Sequence, residues 1–157
     1  MRLRAFAAVS GLAYTGLVLL LTIGPVRQRF VESEADRGVL DWRSWFELTT
    51  WREGTVSEFV ANVALFVPWG ALAVLALGAR RWMLAAAGAG ALTLAIEIAQ
   101  IPLARISDPR DLVANALGAL LGIALGAALE AARRGSREGG PTASGAGGGR
   151  TLERASR

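Results

Sequence analysis

No cysteine and no histidine occur in the chain, and no lysine either, so all 17 basic residues are arginine. The first two absences exclude disulfides, thiol nucleophiles, the usual zinc sites and imidazole acid–base chemistry. No cofactor or resident metal is expected, and any reaction would have to run on carboxylates, amides, hydroxyls or arginine. Charge is also scarce: 19% of the 157 residues are charged against 53% hydrophobic, and the mean hydropathy is +0.40. The net charge of +4 comes from 17 arginines against 13 acids. Those arginines flank apolar segments instead of gathering on one face, so nucleic acid is not an expected partner.

What is abundant is apolar sequence, in four blocks: Ala5 to Gly24, Asn62 to Ala79, Trp82 to Ile101 and Leu112 to Ala132. None carries the polar stripe of a water-soluble bundle helix, and each is close to the ~20 residues that cross a bilayer. Four such spans use roughly 80 residues, which leaves no room for a soluble catalytic domain beside them. The expected fold is all-α, a polytopic membrane protein with four transmembrane helices. Arg2 and Arg4 precede the first block as they would in a signal peptide. A signal's apolar core, however, is ~7 to 15 residues long and ends in small residues, whereas this block is longer and ends in Ile23-Gly24-Pro25. It reads as an uncleaved first span. Arg2 and Arg4, Arg80 and Arg81, and Arg133, Arg134 and Arg137 all lie on one side if the four blocks cross. The positive-inside rule makes that side the cytoplasm, so the expectation is a plasma-membrane protein with both termini cytoplasmic.

The first loop, external in this topology, clusters Trp42, Trp45, Phe46 and Trp51, and positions 42, 45, 46 and 49 share one face of a helix. Tryptophan favours the headgroup layer. A short interfacial helix is therefore expected, as an anchor first and alternatively as a structure shaping access to a site. From Gly135 onward seven glycines mix with Ser, Thr, Pro and Arg, a composition with too few apolar residues to build a core. The expected organisation is a four-helix transmembrane domain over 1–132 and a disordered basic cytoplasmic tail over 133–157. Arginines in such a tail would also suit anionic inner-leaflet lipids.

Polar residues interrupt the apolar blocks at one level. Glu97 lies 15 residues after Trp82, about 22 Å along a helix, which puts it in the outer third of a ~30 Å core. Ala86, Gly90, Thr93, Glu97 and Gln100 follow a 4,3,4,3 spacing and form one face of small and polar residues, which must look into the bundle. In the fourth span Asp111, Asn115, Gly118, Gly122 and Gly126 share a face, and glycines at that spacing let another helix approach closely. Asn62 opens the second span, with Glu58 one turn before it. Three spans thus bring polar residues to one outer level, and a shared pocket is the natural inference. Structural readings exist for each member. Asp108 followed by Pro109 suits an N-cap with Asp111 at N3, as in a capping box. Asn62 and Asn115 would serve as interhelical hydrogen-bond glue, and Glu97 would pair with Arg105.

Three stretches together resemble the signature blocks of VanZ-like membrane proteins. They are Asn62-Val-Ala-Leu-Phe66-Val-Pro68-Trp-Gly70, Glu97-Ile-Ala-Gln100, and Arg105-Ile-Ser-Asp108-Pro-Arg-Asp111-Leu-Val-Ala-Asn115-Ala-Leu-Gly118 with Gly122. The resemblance covers residues 58–126. It implies a four-span fold and an envelope-related role, since the family takes its name from a protein that lowers susceptibility to the glycopeptide teicoplanin. It also carries over Asn62, Glu97, Gln100, Arg105, Asp108, Asp111 and Asn115 as candidate ligand-binding positions. The tryptophan-rich loop and the arginine and glycine tail inherit nothing from it.

Three functions compete. The first is a binding protein whose outer pocket engages a lipid-linked envelope component or an amphipathic antibiotic; arginine with carboxylates suits a zwitterionic or phosphate-bearing headgroup. The second is a small assembly subunit of a membrane complex that uses its glycine face. The third is an intramembrane enzyme with Glu97 or Asp111 as base and Arg105 at an oxyanion, or with a divalent metal on Glu97, Asp108 and Asp111. Chemical poverty ranks them in that order.

Overall fold

A segment in lipid must satisfy its own backbone groups, and all four apolar blocks do so as helices. The computed structural model describes residues 2–24, 39–52, 54–101 and 108–138. Helix α1 spans Arg2–Ile23, the short α2 Leu48–Arg52, α3 Val56–Leu77, α4 Trp82–Gln100 and α5 Pro109–Glu138. Four of these are long and apolar enough to cross a membrane, and no strand occurs among the described residues.

Helix α3 begins before Asn62 because a capping box starts it. Thr55 Oγ1 accepts from the Glu58 amide at 3.2 Å, and Glu58 Oε2 accepts from the Thr55 amide at 3.0 Å. The helix ends at Gly78, whose φ of +91° is one that side-chain-bearing residues rarely adopt. A single 3-10 turn, Ala79–Arg81, then carries Arg80 and Arg81 into α4. The Ala79 amide donates to Glu130 Oε2 at 2.7 Å. The other oxygen of Glu130 pairs with Arg134 at 2.7 Å and with Arg4 at 4.0 Å. One carboxylate therefore ties α1, the α3–α4 turn and α5 together at the arginine-bearing end of the bundle. Helix α5 runs on past Ala132, through Gly135 and Ser136, to Glu138.

The tightest seam joins α3 and α5, which run parallel. A Cβ on Gly118 would fall on the Val63 carbonyl oxygen, one on Gly122 on that of Val67, and one on Gly126 against Val74 and the backbone of Ala71. From the other side, a Cβ on Gly70 would fall on the Ala119 carbonyl. Backbone meets backbone at each successive turn, as expected for the glycine face. Helix α1 is held to α3 by Tyr14 Oη donating to the Leu65 carbonyl at 2.9 Å and by Trp69 Nε1 donating to Thr15 Oγ1 at 3.0 Å. Val18, Phe66, Ala89, Ile96 and Ala119 close the apolar core between the helices.

Two expectations change. On α4 the inward face is Ala85, Ala89, Thr93, Ile96, Glu97 and Gln100, whereas Gly90 is exposed and has open space where a Cβ would stand. Thr93, Glu97 and Gln100 were placed correctly. The stripe below them is shifted by one residue, toward Ala85 and Ala89. The first loop does contain a short helix, but it is α2, and Trp42, Trp45 and Phe46 lie before it in turns. Asp41 organises those turns: its Oδ1 accepts from the Arg43 amide at 3.0 Å and its carbonyl from the buried Ser44 hydroxyl at 2.7 Å. The Trp45 and Trp51 indoles donate to the Val39 and Trp45 carbonyls, both at 3.1 Å, while Trp42 and Phe46 face outward.

The two glycines make a contrast. Gly122→Leu forces α3 and α5 apart and is expected to cost at least ~1 to 3 kcal/mol, the usual range for overpacking, whereas Gly90→Leu points into open space and should be neutral. Thermal unfolding of the two variants in the same detergent checks this.

Candidate functional site

Because α3 and α5 start at the same end at which α4 finishes, the polar residues of all three gather there, opposite the end tied by Glu130. Glu97 is 1% exposed, and its Oε2 accepts from the Asp108 amide at 3.1 Å. Asp108 Oδ1 in turn accepts from the Arg110 amide at 2.8 Å, so Asp108 caps α5 as expected. In a capping box the N3 side chain would reach back to the Asp108 amide. Here Glu97, from another helix, occupies that position. Asp111 is thereby released from local capping, and its carboxylate accepts from the side chain of Asn62 on α3.

Arg110 closes the edge of this layer. Its Nη2 donates to the Thr55 carbonyl at 2.8 Å, its guanidinium lies 5.6 Å from the centre of the Phe59 ring, and it fills the space over Gly54. Burial pushes the Asp108 carboxyl above its usual range and the charge of Glu58 adds to this, while the Arg110 amide and guanidinium pull the other way. Among the described residues no group of three carboxylates is placed to hold a metal ion.

Two amides extend the layer. Asn115, one turn deeper on α5, is 3% exposed and donates through Nδ2 to Thr93 Oγ1 on α4 at 2.8 Å. Gln100, one turn beyond Glu97, is 8% exposed and donates through Nε2 to the Thr22 carbonyl at the end of α1 at 3.1 Å. Each therefore serves as interhelical glue. The opposite oxygens, Gln100 Oε1 and Asn115 Oδ1, are buried and have no hydrogen-bond partner among the described residues. A buried acceptor left in that state costs ~1 to 3 kcal/mol.

Asn62, Glu97, Asp108 and Asp111 thus form one layer, with Asn115 directly below it and Gln100 on the α1 side. Arg105 lies outside the described residues. Sequence reasoning passed over Thr93 as the partner of Asn115, Thr22 as the partner of Gln100, and Arg110 as the closing cation. It also left Glu130 out, although an ionisable group inside a span is itself a signal.

These features define a polytopic membrane protein with four long apolar helices and a polar, carboxylate-rich layer at one end of the bundle. The chain belongs to the VanZ/LLP1 family, whose sequence model matches residues 11–130. No curated protein and no solved structure matches it.

Glu97→Leu strips the Asp108 amide of its buried acceptor and is expected to lower stability by ~1 to 3 kcal/mol, with faster hydrogen exchange at the first turn of α5. Glu97→Gln keeps an oxygen acceptor and should lose less. Exchange mass spectrometry of both variants decides it.

Proposed function

We propose that this protein binds the polar headgroup of an amphiphile, either a cell-envelope lipid or an amphipathic antibiotic, at the outer-leaflet end of its bundle, and thereby affects glycopeptide susceptibility. The supporting observation is the convergence of Asn62, Glu97, Asp108 and Asp111 from three helices on one layer of an otherwise apolar bundle. Structural duty accounts for part of that layer, since Glu97 and Asp108 hold the start of α5. It leaves Asp111 beside Asn62 for a ligand, together with the unsatisfied oxygens of Asn115 and Gln100. Arg105 belongs to the same site in this reading. The arginines of the opposite end face the cytoplasm by the positive-inside rule, which puts the polar layer outside.

Orientation is tested with single cysteines in this cysteine-free chain. Glu47 and Ser136 are both exposed, whereas Ser44 is buried and unsuited to labelling. In intact cells an impermeant thiol reagent should label Glu47→Cys and leave Ser136→Cys unlabelled; the reverse pattern overturns the assignment.

Function is tested with Asp111→Asn and Asn115→Ala at matched membrane abundance. Each should abolish the effect on glycopeptide susceptibility, and the double variant should lose no more than either alone, as members of one site do. A wild-type phenotype in both would reduce the layer to helix glue. Lipid extracts separate binding from catalysis: a binder changes which lipid co-purifies, an enzyme changes the cellular pool.

A further inference from the structure

The arginine-bearing end of the bundle, remote from the polar layer, holds more positive charge than it neutralises. Arg4 of α1 and Arg134 of α5 approach the same oxygen, Glu130 Oε1, at 4.0 and 2.7 Å, so the two guanidinium groups stand at one place. Arg4 also reaches the α3–α4 turn, its Nη2 being 2.9 Å from where a Cβ on Gly78 would stand. The second oxygen of Glu130 is taken by the Ala79 amide, and Arg80 and Arg81 follow that residue in the same turn. Neither of these two has an ion pair among the described residues. One carboxylate thus serves two arginines and lies beside two more. All four are exposed, Arg4 over 62% and Arg134 over 54% of the side chain. A guanidinium carries five N–H donors and no acceptor, so most of the donors here are unspent. Exposed apolar side chains begin right beside them: Phe6 is two residues from Arg4, Trp82 and Met83 follow Arg81, and Leu129 precedes Glu130.

We propose that this end binds the phosphate of a net-anionic membrane lipid between Arg4 and Arg134, with Arg80 and Arg81 adding charge and the acyl chains running over the apolar side chains beside them. A phosphate brings acceptors and negative charge, the two things this end lacks, and its oxygens match the paired N–H donors of a guanidinium. A zwitterionic lipid brings an ammonium as well. The one described carboxylate there has both oxygens engaged, so that ammonium meets only the repulsion of the arginines. A soluble phosphate shares the headgroup chemistry but makes no use of the apolar surface, whereas basic clusters where helices leave a membrane suit lipid headgroups. Glu130 orients the pair: it holds Arg134 and keeps Arg4 at its side, yet cancels only one of the two charges. The site lies at the end opposite the polar layer, and it depends neither on the headgroup reading given above nor on which end faces the cytoplasm.

The experiment is native mass spectrometry of the full chain in mild detergent with added phosphatidylglycerol or phosphatidylethanolamine of identical acyl chains. Both lipids carry a phosphate, and only the first is net anionic. Retention of the glycerol lipid at least about tenfold above the ethanolamine lipid is expected, a difference of one decade in binding constant. Arg4→Gln and Arg134→Gln, read on the folded monomer peak, should each bring the ratio toward unity. Arg43→Gln removes the same charge from the loop before α3 and should leave the ratio unchanged. If the first two variants fail to fold, Arg80→Gln combined with Arg81→Gln removes charge from the turn without breaking an ion pair, and it too should lower the ratio. Inorganic phosphate in large excess should not displace the lipid; displacement would overturn the lipid as occupant in favour of a soluble phosphate. Equal retention of the two lipids, or a preference that Arg4→Gln and Arg134→Gln lower no more than Arg43→Gln does, would overturn the proposal.

Discussion

Gly118, Gly122 and Gly126 let the backbone of α5 lie directly against that of α3, and the rest of the molecule is arranged around that seam. In a bilayer there is no hydrophobic gain in bringing two apolar helices together, because lipid tails are as apolar as leucine. Association must come from close packing and from a few hydrogen bonds. Closeness is what glycine supplies, and Gly70 supplies it from the opposite face. With α3 and α5 in register, Tyr14 and Trp69 dock α1 on α3, Gln100 ties the end of α4 to the end of α1, and the Thr93–Asn115 and Glu97–Asp108 bonds hold α4 to α5.

The same seam creates the polar layer. A parallel pair places two helix starts at one end of the bundle, and helix starts present unsatisfied amides. Thr55 and Glu58 satisfy those of α3 locally. Helix α5 instead shares the task between Asp108 and Glu97, so a residue buried on α4 becomes part of how α5 begins. Capping from another helix is costlier to build than a local box, since a carboxylate must be kept out of water. What it achieves is to leave Asp111 on the inner face of α5 and turned to Asn62.

Four spans, the glycine face and the inward position of Glu97 were legible in the sequence because each rests on composition or on a fixed spacing. The lower half of α4 was not. Its run Ala85-Ala86-Ala87-Gly88-Ala89-Gly90-Ala91 has almost no contrast between faces, so only packing against α3 and α5 decides that Ala89 is inside and Gly90 outside. The tryptophan loop misled for the opposite reason: 42, 45 and 46 do fall at helical spacing, yet the side chain of Asp41 and the Val39 carbonyl draw that backbone into turns. For Asp111 a capping role stood beside the binding one, because local spacing cannot reveal that the Asp108 amide already has a partner eleven residues earlier. Glu58 was seen as a polar neighbour of Asn62, when its first duty is to cap α3.

Helix α5 has 30 residues, about 45 Å at 1.5 Å per residue, against a hydrocarbon core of ~30 Å. Its first turn is fixed at the polar layer, so the surplus emerges at the opposite end as a stem carrying Arg133 and Arg134. There Glu130 grips Arg134 and the Ala79 amide, and so clamps the base of the stem to the α3–α4 turn. Arginines on a clamped helix keep a set height relative to the rest of the bundle, which a flexible segment could not guarantee. The protein itself thus sets the distance between those arginines and the polar layer at the other end of the bundle.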